Sequence, residues 1–141
     1  MRLLDAADRP SGALRDRLID KGYDDETVAA VVDRLIEVGL VDDESYAQSA
    51  VRYCAGRLMG YRGAVMELAR KGVDRPLAER VCDEARMSGV FEDAAWELGR
   101  RSAAKTQGMD PKVRKRRFWS SGGRKGHDAE TLRAVAHELF D

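Results

Sequence analysis

The sequence predicts an all-α fold of three tandem three-helix repeats stacked into an elongated array, and three observations carry that expectation. The composition is 43% apolar and 35% charged, with only 6% aromatic residues and three prolines. That is too hydrophobic for disorder and too poor in aromatic residues for a sandwich or barrel. The string Lys21-Gly22-Tyr23-Asp24 recurs as Lys71-Gly72-Val73-Asp74 and as Lys125-Gly126-His127-Asp128, the mark of one module used three times. After each copy the apolar residues return at helical spacing. With 141 residues, each module has about 40 to 50, too few to hold together alone, so the copies are expected to stack on one another.

Each copy reads as helix, turn, helix. Gly22, Gly72 and Gly126 fall where a helix ends in a left-handed residue, and the lysine before each favours the negative end of the helix dipole. Asp24, Asp74 and Asp128 then offer a carboxylate to the unpaired amides of the next helix. The stripes that follow are expected to be core: Val28, Val31, Val32 and Leu35; Leu77, Val81, Cys82 and Ala85; Leu132, Val135, Ala136 and Leu139. Leu14 aligns with Phe118, which places Phe118 in the core as well.

A longer helix opens the second copy from Asp42 or Asp43, shows Ala47, Ala50, Cys54 and Leu58 on one face, and ends near Gly60. Its counterpart in the third copy carries Phe91, Ala95, Leu98 and Ser102 and closes at Gly108, after which Asp110-Pro111 reads as N-cap and N1. In the first copy, Met1 to Ala7 leave only a stub for that helix, which is expected to be truncated. The units are placed at 1–39, 40–88 and 89–141. Gly122 and Gly123 stand where the earlier copies carry Leu18-Ile19 and Leu68-Ala69, so the helix before the third turn is expected to fray or stop early.

Charge separates the ends of the chain. Twenty-five basic and 25 acidic residues cancel overall, but residues 1–98 hold 14 Lys/Arg against 20 Asp/Glu, and residues 99–141 hold 11 against 5. Between 99 and 127 there are ten basic residues and one acidic residue, Asp110. A charge run on a helix is commonly a solvated face, yet this imbalance departs from the even mixing elsewhere and gives the segment a field suited to an anionic partner. The candidate binding residues are Arg100, Arg101, Lys105, Lys112, Arg114, Lys115, Arg116, Arg117, Arg124 and Lys125, with Trp119 as the exposed aromatic. Cations beside an aromatic suit a nucleic-acid backbone and its bases. The acidic pole, Asp24-Asp25-Glu26 with Asp33, Glu37, Asp42, Asp43 and Glu44, reads as caps and a solvated face that could dock a basic protein.

Catalytic signals are absent from the sequence. The run Ser120-Ser121-Gly122-Gly123-Arg124-Lys125-Gly126 lacks the order of a phosphate loop. His127 and His137 read as ordinary helix residues without a nucleophile or ligand beside them, and Cys54 and Cys82 as two reduced core thiols without metal-knuckle spacing. No enzyme, metal or cofactor is expected. No stretch approaches the roughly 18 apolar residues of a spanning helix and no signal core follows Met1, so a cytosolic protein is expected.

Four pieces, in order and spacing, resemble the RecX family of bacterial regulators of the RecA recombinase. They are the Lys-Gly-Tyr-Asp turn, the Gly39-Leu40-Val41-Asp42-Asp43-x-x-Tyr46-Ala47 junction, Gly60-Tyr61 with Leu68-x-x-Lys71-Gly72-Val73, and the closing basic stretch. The resemblance covers nearly the whole chain. It implies a non-catalytic protein that binds the RecA nucleoprotein filament, limits its growth and lowers ATP hydrolysis and strand exchange, in the setting of DNA repair, homologous recombination and the SOS response; apart from the resemblance, a monomer is expected. Direct contact with single-stranded or double-stranded DNA is a second implication, and no membrane partner is expected. The alternative is a general DNA-binding helical adaptor with no recombinase partner. The sequence leaves open which charged pole meets DNA and which meets protein.

Overall fold

The computed structural model describes residues 9–141, and every regular element among them is helical. In chain order these are α1 (Ser11–Asp20), α2 (Asp25–Glu37), α3 (Asp43–Gly56), α4 (Tyr61–Arg70), α5 (Arg75–Met87), α6 (Val90–Lys105), α7 (Pro111–Arg124) and α8 (Ala129–Phe140). They associate as one pair and two trios: α1 packs on α2, α3 to α5 on one another, and α6 to α8 on one another. The all-α reading holds. The stub Met1 to Ala7 lies outside the described residues.

The three Lys-Gly turns take the same form. Gly22, Gly72 and Gly126 have φ of +98°, +101° and +86°, a region that costs a side chain about 1 kcal/mol or more and glycine nothing. The amide of the next residue returns to the helix it leaves, from Tyr23 to Leu18, Val73 to Leu68 and His127 to Gly122. Asp24 and Asp128 then cap α2 and α8, accepting from the Thr27 and Thr131 amides at 2.7 and 2.8 Å, and Asp42 caps α3 from the Ser45 amide at 3.1 Å. Asp74 departs from the pattern: its side chain accepts no cap bond. Pro76 removes one of the two amides a cap can engage, that at the second position of α5.

Each group has its own core. Leu14, Leu18, Val28, Val32, Leu35 and Val41 fill the first. The middle core gathers Ala47, Val51 and Cys54 of α3 with Ala64, Val65 and Leu68 of α4 and Ala78, Val81 and Cys82 of α5. The last holds Ala94, Ala95 and Leu98 of α6, Phe118 of α7, and Leu132, Val135 and Ala136 of α8. Leu14 and Phe118 are both wholly buried.

Several expected positions shift. α3 ends at Gly56, and the chain then turns through Leu58 at φ +65°. That turn carries the Leu58 side chain out of the α3 stripe and into the last core. Val51 takes the buried place assigned to Ala50, and Ala78 the place assigned to Leu77. Val31 is 38% exposed, because among the described residues nothing covers the third side of the α1–α2 pair. The expected fraying at Gly122 does not occur. α7 runs through both glycines to Arg124, and any Cβ at Gly122 would collide with the Leu132 side chain. Glycine there lets α7 and α8 approach closely.

Candidate functional site: a basic cleft between α6 and α7

The basic segment is organised by α7. Gly108, at φ +83°, turns the chain out of α6, and Asp110 accepts from the Lys112 amide at 2.8 Å with Pro111 at the first position of the helix. Phe118 anchors the inner face in the last core. Helical periodicity then turns Lys112, Arg116, Arg117 and Arg124 outward, and all four are exposed.

Arg117 faces the end of α6 across a cleft of about 360 Å³ that it lines together with Arg101, Lys105 and Lys125. The cleft floor is Leu58 and Leu98, with the hydroxyls of Ser102, Thr106 and Ser121 on its walls, and no carboxylate lines it. Lys105, Arg116, Arg117 and Arg124 make no ion pair among the described residues. Lys125 gives its Nζ to a neutral acceptor, the Arg57 carbonyl at 2.7 Å, and so keeps its charge uncompensated. The Thr106 hydroxyl is spent on the Ser102 carbonyl at 2.7 Å, but a cleft with several uncompensated cations and the Ser102 and Ser121 hydroxyls is suited to oxyanions such as phosphodiesters.

The other candidates, and Arg101 of the cleft, have partners within the protein. Arg114 turns inward one helical turn before Phe118: its Nε donates to Thr106 Oγ1 and its Nη2 to the Ala103 carbonyl, both at 3.1 Å, and the guanidinium lies 5.3 Å from the centre of the Phe140 ring. It closes the carbonyl end of α6 rather than facing solvent. Lys115 pairs with Asp141, whose carboxyl is held below the usual range by that bond and by His137. Arg100 and Arg101 share Glu97 at 3.1 Å, and the two guanidinium groups lower its carboxyl in turn. Trp119, expected to be exposed, packs half-buried against the last core. An aromatic next to a cation run was a poor guide here, because Trp119 continues the apolar side of the helix begun by Phe118.

His127 is also placed differently from its expected role. It sits in the turn before α8, 3% exposed, and Nε2 donates to the Leu58 carbonyl at 2.8 Å. Burial pulls its pKa below the ordinary value, with the Leu58 bond opposing that shift. It fastens the middle trio to the last one. The thiols are equally withdrawn: burial raises Cys54 and pushes Cys82 up to about 12, so neither is a thiolate at neutral pH. Among the described residues no group of metal-ligating side chains converges, and no helix is long and apolar enough to cross a membrane.

The acidic pole divides between structure and surface. Asp43 accepts from the backbone amide of Ser11 at 2.7 Å and from its hydroxyl, Glu44 pairs with Arg80, and Asp24 and Asp42 are caps. Asp25, Glu26, Asp33 and Glu37 remain on the exposed face of α2.

Comparison with known proteins places this arrangement in context. Residues 1–35 match the family described as RecX, first three-helix domain. A regulatory protein RecX from Thermobifida fusca (strain YX) is 38% identical over 143 aligned positions that span 99% of this chain and 76% of that protein. One from Mycobacterium sp. (strain JLS) is 49% identical over 77 residues, 52% of this chain and 41% of the relative. In fold, the crystal structure of RecX from Lactobacillus salivarius superposes with a TM-score of 0.80 at 20% identity, over 93% of this chain and 85% of that one.

Proposed function

This chain belongs to the RecX family of regulatory proteins, and from that premise we propose that it acts by occupancy. In this reading it binds the RecA nucleoprotein filament, limits filament growth, and lowers ATP hydrolysis and strand exchange without chemistry of its own. Its three stacked units, 1–39, 40–88 and 89–141, present the basic cleft of α6 and α7 to the phosphates of the filament. The acidic outer face of α2 is left for basic protein surface. The observation that carries this is the cleft itself, lined by four cations of which Lys105, Arg117 and Lys125 have no carboxylate partner among the described residues. Each phosphate it neutralises releases condensed counterions.

A second reading, a general DNA-binding adaptor, draws on the same cleft, and one experiment separates the two. RecA-coated single-stranded DNA is titrated with the protein while ATP hydrolysis is followed, with naked DNA as the control. The wild type is expected to inhibit hydrolysis. The triple variant Lys105→Glu, Arg116→Glu, Arg117→Glu is expected to keep its helical circular dichroism and to need more than about tenfold higher concentration for the same inhibition. Inhibition unchanged by the three reversals contradicts the assigned face. Tight binding to naked DNA with no effect on RecA hydrolysis favours the adaptor.

A further inference from the structure

A second basic pocket shares Lys125 with the α6–α7 cleft and is otherwise lined by different residues. It has a volume of about 470 Å³ and stands where the middle trio meets the last one. Arg57, Arg70 and Lys71 come from the ends of α3 and α4, and Arg124 and Lys125 from the end of α7. Helix carboxyl ends ordinarily collect cations one at a time. Here three such ends converge on one cavity.

The wall of this pocket is an aromatic ring in the open. Tyr53 is 56% exposed, with the Arg57 guanidinium 5.8 Å and the Lys71 ammonium 5.3 Å from its ring centre. The one carboxylate in the lining, Glu67, is taken by Arg70 and Lys71. Arg57 and Arg124 have no carboxylate partner among the described residues, and Lys125 reaches only the Arg57 carbonyl. Half of an aromatic side chain standing in water beside uncompensated cations contributes little to folding. It matches a ligand with an anionic part and a flat apolar part at nearest-neighbour distance.

We propose that the Tyr53 pocket is a subsite for one nucleotide unit of a single-stranded nucleic acid, its base stacked on the Tyr53 ring and its phosphates held by Arg57, Arg124 and Lys125. A duplex, whose bases are already stacked and paired, has no free ring face to offer, so the pocket selects single strands. Lys125 lines both this pocket and the α6–α7 cleft, which makes one basic track around the junction of the two trios. The inference rests on the reading that the basic face meets nucleic acid, but Tyr53, Arg57 and Arg124 do not line the α6–α7 cleft.

The test uses fluorescence anisotropy with the full chain and a labelled oligothymidylate of about a dozen nucleotides, a length within the range a single small binding surface covers. The companion probe has the same length and phosphates but abasic sugars. Tyr53→Ala is expected to weaken oligothymidylate binding by about tenfold and to leave abasic binding unchanged, while Tyr53→Phe, which keeps the ring, stays within about twofold of wild type on both. Equal oligothymidylate affinity for wild type and Tyr53→Ala overturns the subsite, and so does a loss that falls equally on the abasic probe. The Lys105, Arg116 and Arg117 reversals do not touch this pocket. Their failure to relieve RecA inhibition counts against the function reading, and the Tyr53 result against the subsite alone.

Discussion

Where α1 meets the middle trio, Gly12 lies against the Gly72 turn, and where α4 meets the last trio, Gly63 lies against the Lys125-Gly126 turn. In both places a Cβ on the glycine would collide with a backbone carbonyl of the opposite turn, Gly72 in one case and Lys125 in the other. The start of one helix is thus pressed directly on the turn of the next group. What differs is the fastening. The first junction is held by Asp43 accepting from the amide and hydroxyl of Ser11. The second has the Gly60 amide donating to the Lys125 carbonyl at 2.8 Å, Lys125 and His127 bonded to the Arg57 and Leu58 carbonyls, and Leu58 buried across the boundary. There α6 also packs on both α3 and α5, whereas α1 and α2 pack mainly on each other. Backbone contact alone sets the stacking; side chains and the neighbouring helix decide whether the stack can give.

The sharpest way to break this comparison is to add one methyl group to each junction. Gly63→Ala is expected to cost about 2–3 kcal/mol in urea unfolding, the cost of overpacking against backbone that cannot move. Gly12→Ala should cost about 1 kcal/mol or less, because the α1–α2 pair can shift away. Equal losses would show that the first junction is as rigid as the second.

His127→Val copies the residue at the equivalent turn, Val73, into the second junction. It leaves the Leu58 carbonyl without its donor, at an expected cost of about 1–2 kcal/mol. The same histidine sets a pH dependence. Its folded pKa lies below the ordinary 6.5, so between the two values the unfolded chain binds more protons than the folded one, and stability rises with pH. The contribution is whole above about 6.5 and is lost as pH falls toward the folded pKa. Thermal melts from pH 7 downward should show that decline in wild type and lose its histidine component in His127→Val; an identical slope in both proteins would remove His127 from this role.

The smallest effects concern fastening by carboxylates. Asp43→Ala should release the amides of α1 and α2 to hydrogen exchange by about fivefold to tenfold, roughly 1 kcal/mol of local stability, while α6 to α8 stay protected. Asp24→Ala should lower the melting temperature measurably and Asp74→Ala should not, since Asp24 caps its helix and Asp74 accepts no cap bond.

The helices and turns were legible in the sequence because they depend on neighbours three to five residues away. Glycine after lysine, aspartate two residues later and an apolar stripe are local signals, and their threefold recurrence strengthened each. The junctions were not legible, since Gly12 and Gly72 or Gly63 and Lys125 are brought together only by packing, and nothing near Gly63 marks it as a contact. The basic face was legible as a segment, but not which of its cations have partners within the protein. Arg114 stands four residues before Phe118 and so shares its inward side, a spacing that already distinguished it from Arg116 and Arg117. Glu97, three and four residues before Arg100 and Arg101, announced their pairing in the same way. Tyr53 had one local sign, Arg57 four residues later, but Lys71, Arg124 and Lys125 reach its pocket only through packing.

In the proposed function the basic α6–α7 side, not the acidic α2 side, meets the nucleoprotein filament. Hydrogen–deuterium exchange of this protein alone and on RecA-coated single-stranded DNA tests it most directly. Slowed exchange across the end of α6, along α7 and at the turn through Lys125, with smaller changes elsewhere, is the expected result. Protection confined to α2 with α7 exchanging as in the free protein would contradict it.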